Sequence, residues 1–239
     1  MQSVVAALYP PKCALCSEPT EADFGLCPAC WRDTRFVEGA ICDACGVGLA
    51  GEAIGGERLY CDDCLAHARP WLRGRAAYAY AGGGRKLVIA LKSGDRTEIA
   101  RVVAPLMAWA ARPLLRPETV IVPIPLHWSR RMRRRYNQAA LLALALGRQT
   151  ERQVCPDALV RTRRTPPLDF PDRNERFALL EDAIAANPVR AGEIRQRPVL
   201  LVDDVMTSGA TFGAATRACY AAGASEVCIL ALARAAKDA

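Results

Sequence analysis

From residue 76 onward, short uninterrupted apolar runs alternate with longer stretches whose apolar positions follow a helical period. The short runs predict strands buried on both faces at Ala76–Ala81, Thr119–Ile124, Cys155–Val160, Val199–Val202 and Glu226–Arg234. The longer stretches predict helices. One starts at Arg85 with Leu87, Val88 and Leu91 on one face, after a turn at Gly82-Gly83-Gly84, and another spans Thr97–Ala111. A third opens at Tyr136-Asn137-Gln138-Ala139 and reaches Gly147, with Leu141, Leu144 and Ala145 toward the core. The last, Gly209–Ala222, stops at Gly223, a C′ residue. Strands alternating with helices in this order predict an α/β fold, a doubly wound parallel sheet flanked by helices.

The first 70 residues lack this pattern and carry four C-x-x-C pairs instead: Cys13/Cys16, Cys27/Cys30, Cys42/Cys45 and Cys61/Cys64. Each pair offers two thiolates to one metal ion, and two pairs complete a Cys₄ site. Ten residues separate the first two pairs and 15 the last two, which reads as two consecutive zinc ribbons. Cys13, Cys16, Cys27 and Cys30 then hold one structural zinc ion and Cys42, Cys45, Cys61 and Cys64 the other; spacing alone leaves a cross-braced pairing open. Zinc is favoured over disulfides because no secretory leader precedes the pairs. A small domain so poor in large apolar side chains draws much of its folding free energy from the metal. His67 is expected at the surface, and Cys155, Cys219 and Cys228 in the core. The expected division is 1–70 for the double ribbon and 71–239 for the α/β domain, with Pro70 to Arg75 as linker.

The richest stretch in chemistry is Pro198 to Thr211, P-V-L-L-V-D-D-V-M-T-S-G-A-T. A buried strand delivers Asp203 and Asp204 to its carboxyl end, followed by Thr207, Ser208, Gly209, Ala210 and Thr211 at a helix start. Adjacent carboxylates suit the vicinal hydroxyls of a ribose or Mg²⁺ bridging to pyrophosphate, while hydroxyls and amides at a helix N-terminus suit a phosphate. The plainer alternative, Thr207 or Ser208 as an ordinary N-cap, explains neither the paired acids nor three hydroxyls around one Gly. Val199 to Thr211 resembles the phosphoribosyl pyrophosphate (PRPP) signature of type I phosphoribosyltransferases. The resemblance implies that fold for the sheet domain. Thr207, where purine-salvage relatives often carry an acid, is similar to the orotate and glutamine-dependent branches.

Charge adds a second theme. The chain carries 32 basic against 25 acidic side chains, a net +7, with Arg130, Arg131, Arg133, Arg134 and Arg135 in one cluster and Arg161, Arg163 and Arg164 in another. Such density suits a polyanion, either the pyrophosphate of a small ligand or a nucleic-acid backbone. No apolar run reaches the roughly 18 residues of a membrane span, so the expected location is the cytoplasm.

Read together, the four cysteine pairs, the Y-x-Y-x-G block running to Lys92-Ser93-Gly94-Asp95, Pro123-x-Pro125-Leu126-His127, the Arg134 to Ala139 stretch and the PRPP loop resemble the ComF family from Cys13 to Arg234. These are bacterial competence proteins of the amidophosphoribosyltransferase-like group. The resemblance adds Lys92, Arg134, Asn137 and Gln138 to the ligand side, and puts Pro123 to His127 at the pyrophosphate loop. It implies a catalytic set of Asp203, Asp204, Lys92 and Arg134, with PRPP and Mg²⁺ bound, and a part in DNA uptake. Three positions depart from the family pattern: Arg135 in place of Gly, Leu168 in place of Gln, and Leu179 in place of Asn. The last two fall in the charged, proline-containing 161–176 loop and just beyond it, where a lid is expected. The functional expectations are therefore a phosphoribosyltransferase acting on PRPP or a related phosphorylated sugar or nucleotide, a sensor that binds without turnover, or a single-stranded DNA-binding competence factor working with other competence proteins.

Overall fold

The computed structural model describes residues 10–20, 25–52, 56–93, 96–126, 136–163, 180 and 182–235. The two ribbons come first and share one plan. In each, the first cysteine pair forms a knuckle in which the leading Cys accepts from the amide four residues on, Cys13 from Ser17 at 3.1 Å and Cys42 from Gly46 at 2.9 Å. The second pair opens a short helix whose N-cap is itself a cysteine: Cys27 before α1 (Pro28–Asp33) and Cys61 before α2 (Asp62–Ala66).

The α/β portion follows as β1 (Arg73–Ala79), α3 (Gly82–Ser93), α4 (Ile99–Ala111), β2 (Val120–Pro123), α5 (Gln138–Thr150), β3 (Leu159–Arg161), β4 (Ile184–Ala186), β5 (Pro198–Met206), α6 (Ala210–Ala221) and β6 (Glu226–Arg234). Four strands form one parallel sheet in the order β1-β6-β5-β2, with Asp203 opposite Ala231 and Val202 opposite Pro123. This is the expected class: an α/β parallel sheet between layers, with a double ribbon at its N-terminal side.

Both faces of the sheet are dry, which explains the unbroken apolar strands. One face presents Ala77, Ile121, Leu200, Val202, Cys228 and Leu230 to α3, α4 and α5. The other presents Val120, Val122, Val199, Leu201, Val227 and Ile229 to α6, the β3–β4 hairpin and the second ribbon, whose Cys42, Ala44, Cys45 and Cys64 belong to the same cluster. Cys155, Cys219 and Cys228 are buried as expected, and burial pushes their thiols up to about 11, 12 and 11.

Several boundaries differ from expectation, each for a physical reason. Half of the supposed linker is strand: β1 starts at Arg73, which pairs with Cys228 of β6, and Asp43 of the second knuckle braces it, accepting from Arg73 Nη2 at 2.6 Å and Arg75 Nη2 at 2.7 Å, while Gly74 N–H donates to the Asp43 carbonyl at 2.7 Å. Although burial opposes ionisation, those two guanidinium groups hold Asp43 below the usual carboxylate range. The helix expected at Arg85 already starts at Gly82, whose φ of +46° only glycine adopts readily. Cys155–Val160 is not a strand of the parallel sheet. Val154 makes a single parallel bridge to Ile121, after which the chain turns and pairs Leu159–Arg161 antiparallel with Ile184–Ala186. The core face of α5 is Leu142, Ala143 and Leu146, while Leu144 is exposed and Leu141 and Ala145 are only partly buried. That helix is aliphatic on every side, so its cap and neighbours, not its periodicity, choose the buried face.

Candidate functional site

The chemistry of the two cysteine clusters is the most constrained in the molecule. The sulfurs of Cys13, Cys16, Cys27 and Cys30 lie within 4.8 Å of one another, as do those of Cys42, Cys45, Cys61 and Cys64, which is the sequential pairing. Separations of 3.5 Å for Cys16–Cys27 and 3.7 Å for Cys45–Cys61 approach the ~3.8 Å edge of a tetrahedron with ~2.3 Å metal–sulfur bonds. Hydrogen bonds from Cys45 and Cys64 push the Cys42 thiol well below its ordinary range, and those two thiols are pushed up in turn. Four thiolates closing a tetrahedron fit a structural zinc ion with no open position. His67 is no ligand: its side chain is exposed and its Nδ1 lies 3.2 Å from the Asp63 carbonyl.

The second centre sits where the carboxyl ends of β2 and β5 meet α3 and α5. Strand β5 runs on past Val202 through both acids to Met206, so Asp203 and Asp204 are strand residues. Asp204 is buried and pairs with Lys92 Nζ at 3.2 Å from the end of α3. Its amide donates to Asp203 Oδ1 at 2.8 Å. Burial, then the neighbouring Asp204 charge, push the Asp203 carboxyl up to about 7, against the opposing pull of that amide, Lys92 and Arg161.

A cavity of about 170 Å³ opens here, lined by Lys92, Asn137, Gln138, Arg161, Asp203, Asp204 and Thr211, with Ile124, Pro125 and Leu126 forming its apolar wall. Sequence-distant candidates thus converge on one space. Gln138 is 2% exposed, and its Nε2 has no hydrogen-bond partner among the described residues. A buried donor left in that state costs about 1–3 kcal/mol, a cost that a ligand acceptor removes. Asn137 is more occupied: its Oδ1 caps α5 through the Ala139 amide at 3.0 Å and its Nδ2 donates to the Ile124 carbonyl at 3.0 Å, which fixes the cavity wall.

The loop after β5 is arranged differently from an ordinary capped helix. The N-cap of α6 is Gly209 at φ +82°, with no side-chain cap. Thr207 is exposed, Ser208 is half-buried with Oγ only 3.4 Å from the Ala210 amide, and Thr211 lines the cavity. Gly209 and Ala210 are buried and contribute backbone. A Cβ on Gly209 would come within 2.9 Å of Met206 Cε and of Trp71 Cη2, so glycine is required by both conformation and space.

Of the expected site residues, Arg134 lies outside the described residues, as do His127, Arg130, Arg131, Arg133, Arg135, Arg164, Leu168 and Leu179. Arg161, known from the sequence only as part of a basic group, lines the cavity. Arg69, Trp71 and Arg234, which hold the loop from behind, carried no sequence signal; they sit next to a cysteine pair and at the end of an apolar strand.

Comparison with known proteins bears on the ribbons and on the family of the whole chain. Residues 4–65 match the double zinc ribbon domain family. The chain is 31% identical over 233 residues to DNA utilization protein YhgH of Escherichia coli K12, covering 94% of this chain and 97% of that one. It is 29% identical over 217 residues to Competence protein F of Haemophilus influenzae, covering 88% and 91%. Among solved structures it is similar to a glutamine PRPP amidotransferase from B. subtilis, with a TM-score of 0.41, 14% identity and coverage of 61% of this chain and 30% of that one. It is also similar to a hypoxanthine phosphoribosyltransferase from Staphylococcus aureus, with a TM-score of 0.36, 15% identity and coverage of 60% and 70%. Similar over 94% of its length to YhgH and over 88% to Competence protein F, the chain belongs to the ComF family.

Proposed function

We propose that the chain binds 5-phosphoribosyl pyrophosphate, or a closely related phosphorylated pentose, in the cavity beside Asp203 and Asp204. One observation carries the reading: Thr211 of the hydroxyl-bearing loop lines one cavity with two acids, a lysine and the buried Gln138 amide, whose Nε2 has no partner among the described residues, and the helix that opens at this loop has a glycine N-cap without a side-chain cap. The Asp203 and Asp204 carboxylates accept from the ribose hydroxyls. Thr207 to Thr211 receive the 5′-phosphate through hydroxyls and backbone amides. Lys92 offsets the charge of the pyrophosphate, a role that the family resemblance extends to Arg134. Asp203 and Asp204 are also the residues that would hold Mg²⁺ together with the pyrophosphate oxygens, the ion supplying charge neutralisation. At about 170 Å³ the cavity is smaller than the ~300–1,000 Å³ that encloses drug-sized ligands, and suits a sugar ring whose charged ends extend beyond it.

Calorimetry with PRPP and Mg²⁺ tests this. Wild type should release or absorb binding heat, and Asp203→Asn/Asp204→Asn should not; an indifferent wild type removes the proposal. Screening nucleobases and amines for pyrophosphate release then separates a transferase, which the family resemblance favours, from a sensor without turnover.

The relatives' names, DNA utilization and competence, supply the process, and we infer a part in DNA uptake in the cytoplasm beside other competence proteins. Among the described residues, no helix is long and apolar enough to cross a membrane. The boundary we propose, 1–70 for the ribbons and 71–239 for the ligand-binding portion, marks sequence segments that share one core. Direct contact with single-stranded DNA is a second reading, supported by a different place. Trp31 and Trp109, 48% and 50% exposed, flank an apolar cavity of about 510 Å³ between the first ribbon and α4, and the chain carries a net +7. Trp31→Ala/Trp109→Ala should weaken salt-sensitive oligonucleotide binding; unchanged affinity counts against it.

A further inference from the structure

One guanidinium lies between the second cysteine cluster and the loop that follows β5. The Arg69 side chain is 2% exposed and divides its nitrogens among three partners. Nε donates to Cys64 Sγ at 3.3 Å, Nη2 pairs with Asp63, and Nη1 donates to the Ser208 carbonyl at 2.9 Å. Trp71 supports the arrangement. Its Nε1 donates to the Ala44 carbonyl inside the second knuckle, its ring meets Phe212 of α6 edge-on at 6.2 Å, and the Arg69 guanidinium lies 5.7 Å from its centroid. From β6, Arg234 Nη1 donates to the carbonyls of Met206 at 3.2 Å and Thr207 at 2.9 Å.

Three successive carbonyls, 206 to 208, are thus bound by two arginines. In a planar trans peptide the N–H of the next residue points opposite the carbonyl. Fixing the oxygens of Met206, Thr207 and Ser208 therefore fixes the amides of Thr207, Ser208 and Gly209, pointing them away from the arginines. Of the two arginines, Arg69 also bonds a metal-ligating sulfur. Cys64 lies with its three partner sulfurs within 4.8 Å of one another, so an ion shared by the four would hold it where it meets Arg69, and a metal-bound thiolate is a charge-assisted acceptor.

We propose that Arg69 is a positioning residue through which the metal ion of the second ribbon sets the shape of the 207–211 loop and hence its affinity for phosphate. The affinity part rests on the phosphate reading above. By reciprocity, phosphate in the loop retards loss of the ion held by Cys42, Cys45, Cys61 and Cys64 and leaves the Cys13, Cys16, Cys27 and Cys30 ion unaffected.

The test uses the full-length, zinc-loaded protein. Amide hydrogen exchange across residues 207–213 should run roughly tenfold faster in Arg69→Met than in wild type while both zinc ions stay bound. Equal exchange overturns the inference. If Arg69→Met does not fold, Arg69→Lys carries the same comparison with a smaller shift, since it keeps the buried charge but loses the fork. Chelator extraction of zinc with and without ribose 5-phosphate forms the second arm. Slower release of one ion of the two, in wild type but not in the variant, is expected; equal retardation of both ions, or of neither where ribose 5-phosphate binds, contradicts the coupling. If wild type has no affinity for ribose 5-phosphate, the phosphate reading fails, and the exchange comparison decides the role of Arg69 by itself.

Discussion

The two ribbons have the same knuckle, the same cysteine-capped helix and the same four-sulfur cluster, yet they sit at different depths. In the second, Cys42 and Cys45 are fully buried and belong to the sheet's core cluster. In the first, Cys16 is exposed, and the ribbon meets the rest at an edge, where Val37 N–H donates to the Ala77 carbonyl at 3.2 Å and Phe36 lies 5.6 Å from Tyr78. The position after each knuckle shows the consequence. Both residues adopt left-handed backbone, Ser17 at φ 65° and Gly46 at φ 71°. A Cβ on Gly46 would lie 2.5 Å from the Arg75 carbonyl carbon, so the second ribbon requires glycine where the first accepts serine. One motif therefore serves as a brace in one place and as part of the core in the other.

The largest expected effect in breaking this contrast comes from the sulfurs. Cys45→Ser should cost several kcal/mol and leave little folded protein, because it removes a metal site built into the sheet core. Cys16→Ser should leave the sheet cooperative, with one zinc fewer; metal content and thermal unfolding read both. Next comes the knuckle swap. Gly46→Ser should cost about 2–4 kcal/mol from overpacking and backbone strain, whereas Ser17→Gly should change stability by under about 1 kcal/mol, measured by denaturant unfolding. Equal costs would mean that the two ribbons are mechanically alike.

The smallest predicted effect separates stability from ligand binding. Asp203 has a folded value near 7 against 3.8 for the free group, so the folded state holds its proton more tightly. Its contribution to stability is then fully present below about pH 4 and declines as pH rises toward 7. Asp203→Asn should stabilise the ligand-free protein above pH 7 by on the order of 1–3 kcal/mol, read as a higher melting point, and the gain should vanish below pH 4. A melting point indifferent to the substitution at every pH would remove the assigned strain.

What the sequence disclosed follows the range of the interactions involved. The cysteine pairs, the acid pair and the T-S-G-A-T loop are contiguous, and their chemistry is local, so each was legible by spacing. The central strands were legible because both faces are buried. The β3–β4 hairpin was not, since Leu159–Arg161 turns from the sheet to pair with residues more than twenty positions on. Nor were the supports of the loop: Arg69 meets Ser208 across 139 positions, and Arg73 and Arg75 pair with β6 more than 150 positions on while Asp43 braces their side chains. In Pro70 to Arg75 the apolar count reads as linker, while the pairing with β6 decides otherwise.

The central claim is that a sugar phosphate seats against the loop between β5 and α6. The ³¹P resonance of ribose 5-phosphate, titrated with the zinc-loaded full-length chain, tests it most directly. The account predicts that wild type shifts or broadens the line and that a folded Thr207→Val/Thr211→Val variant leaves it nearly unmoved. A line untouched by wild type, or perturbed equally by both proteins, would contradict it.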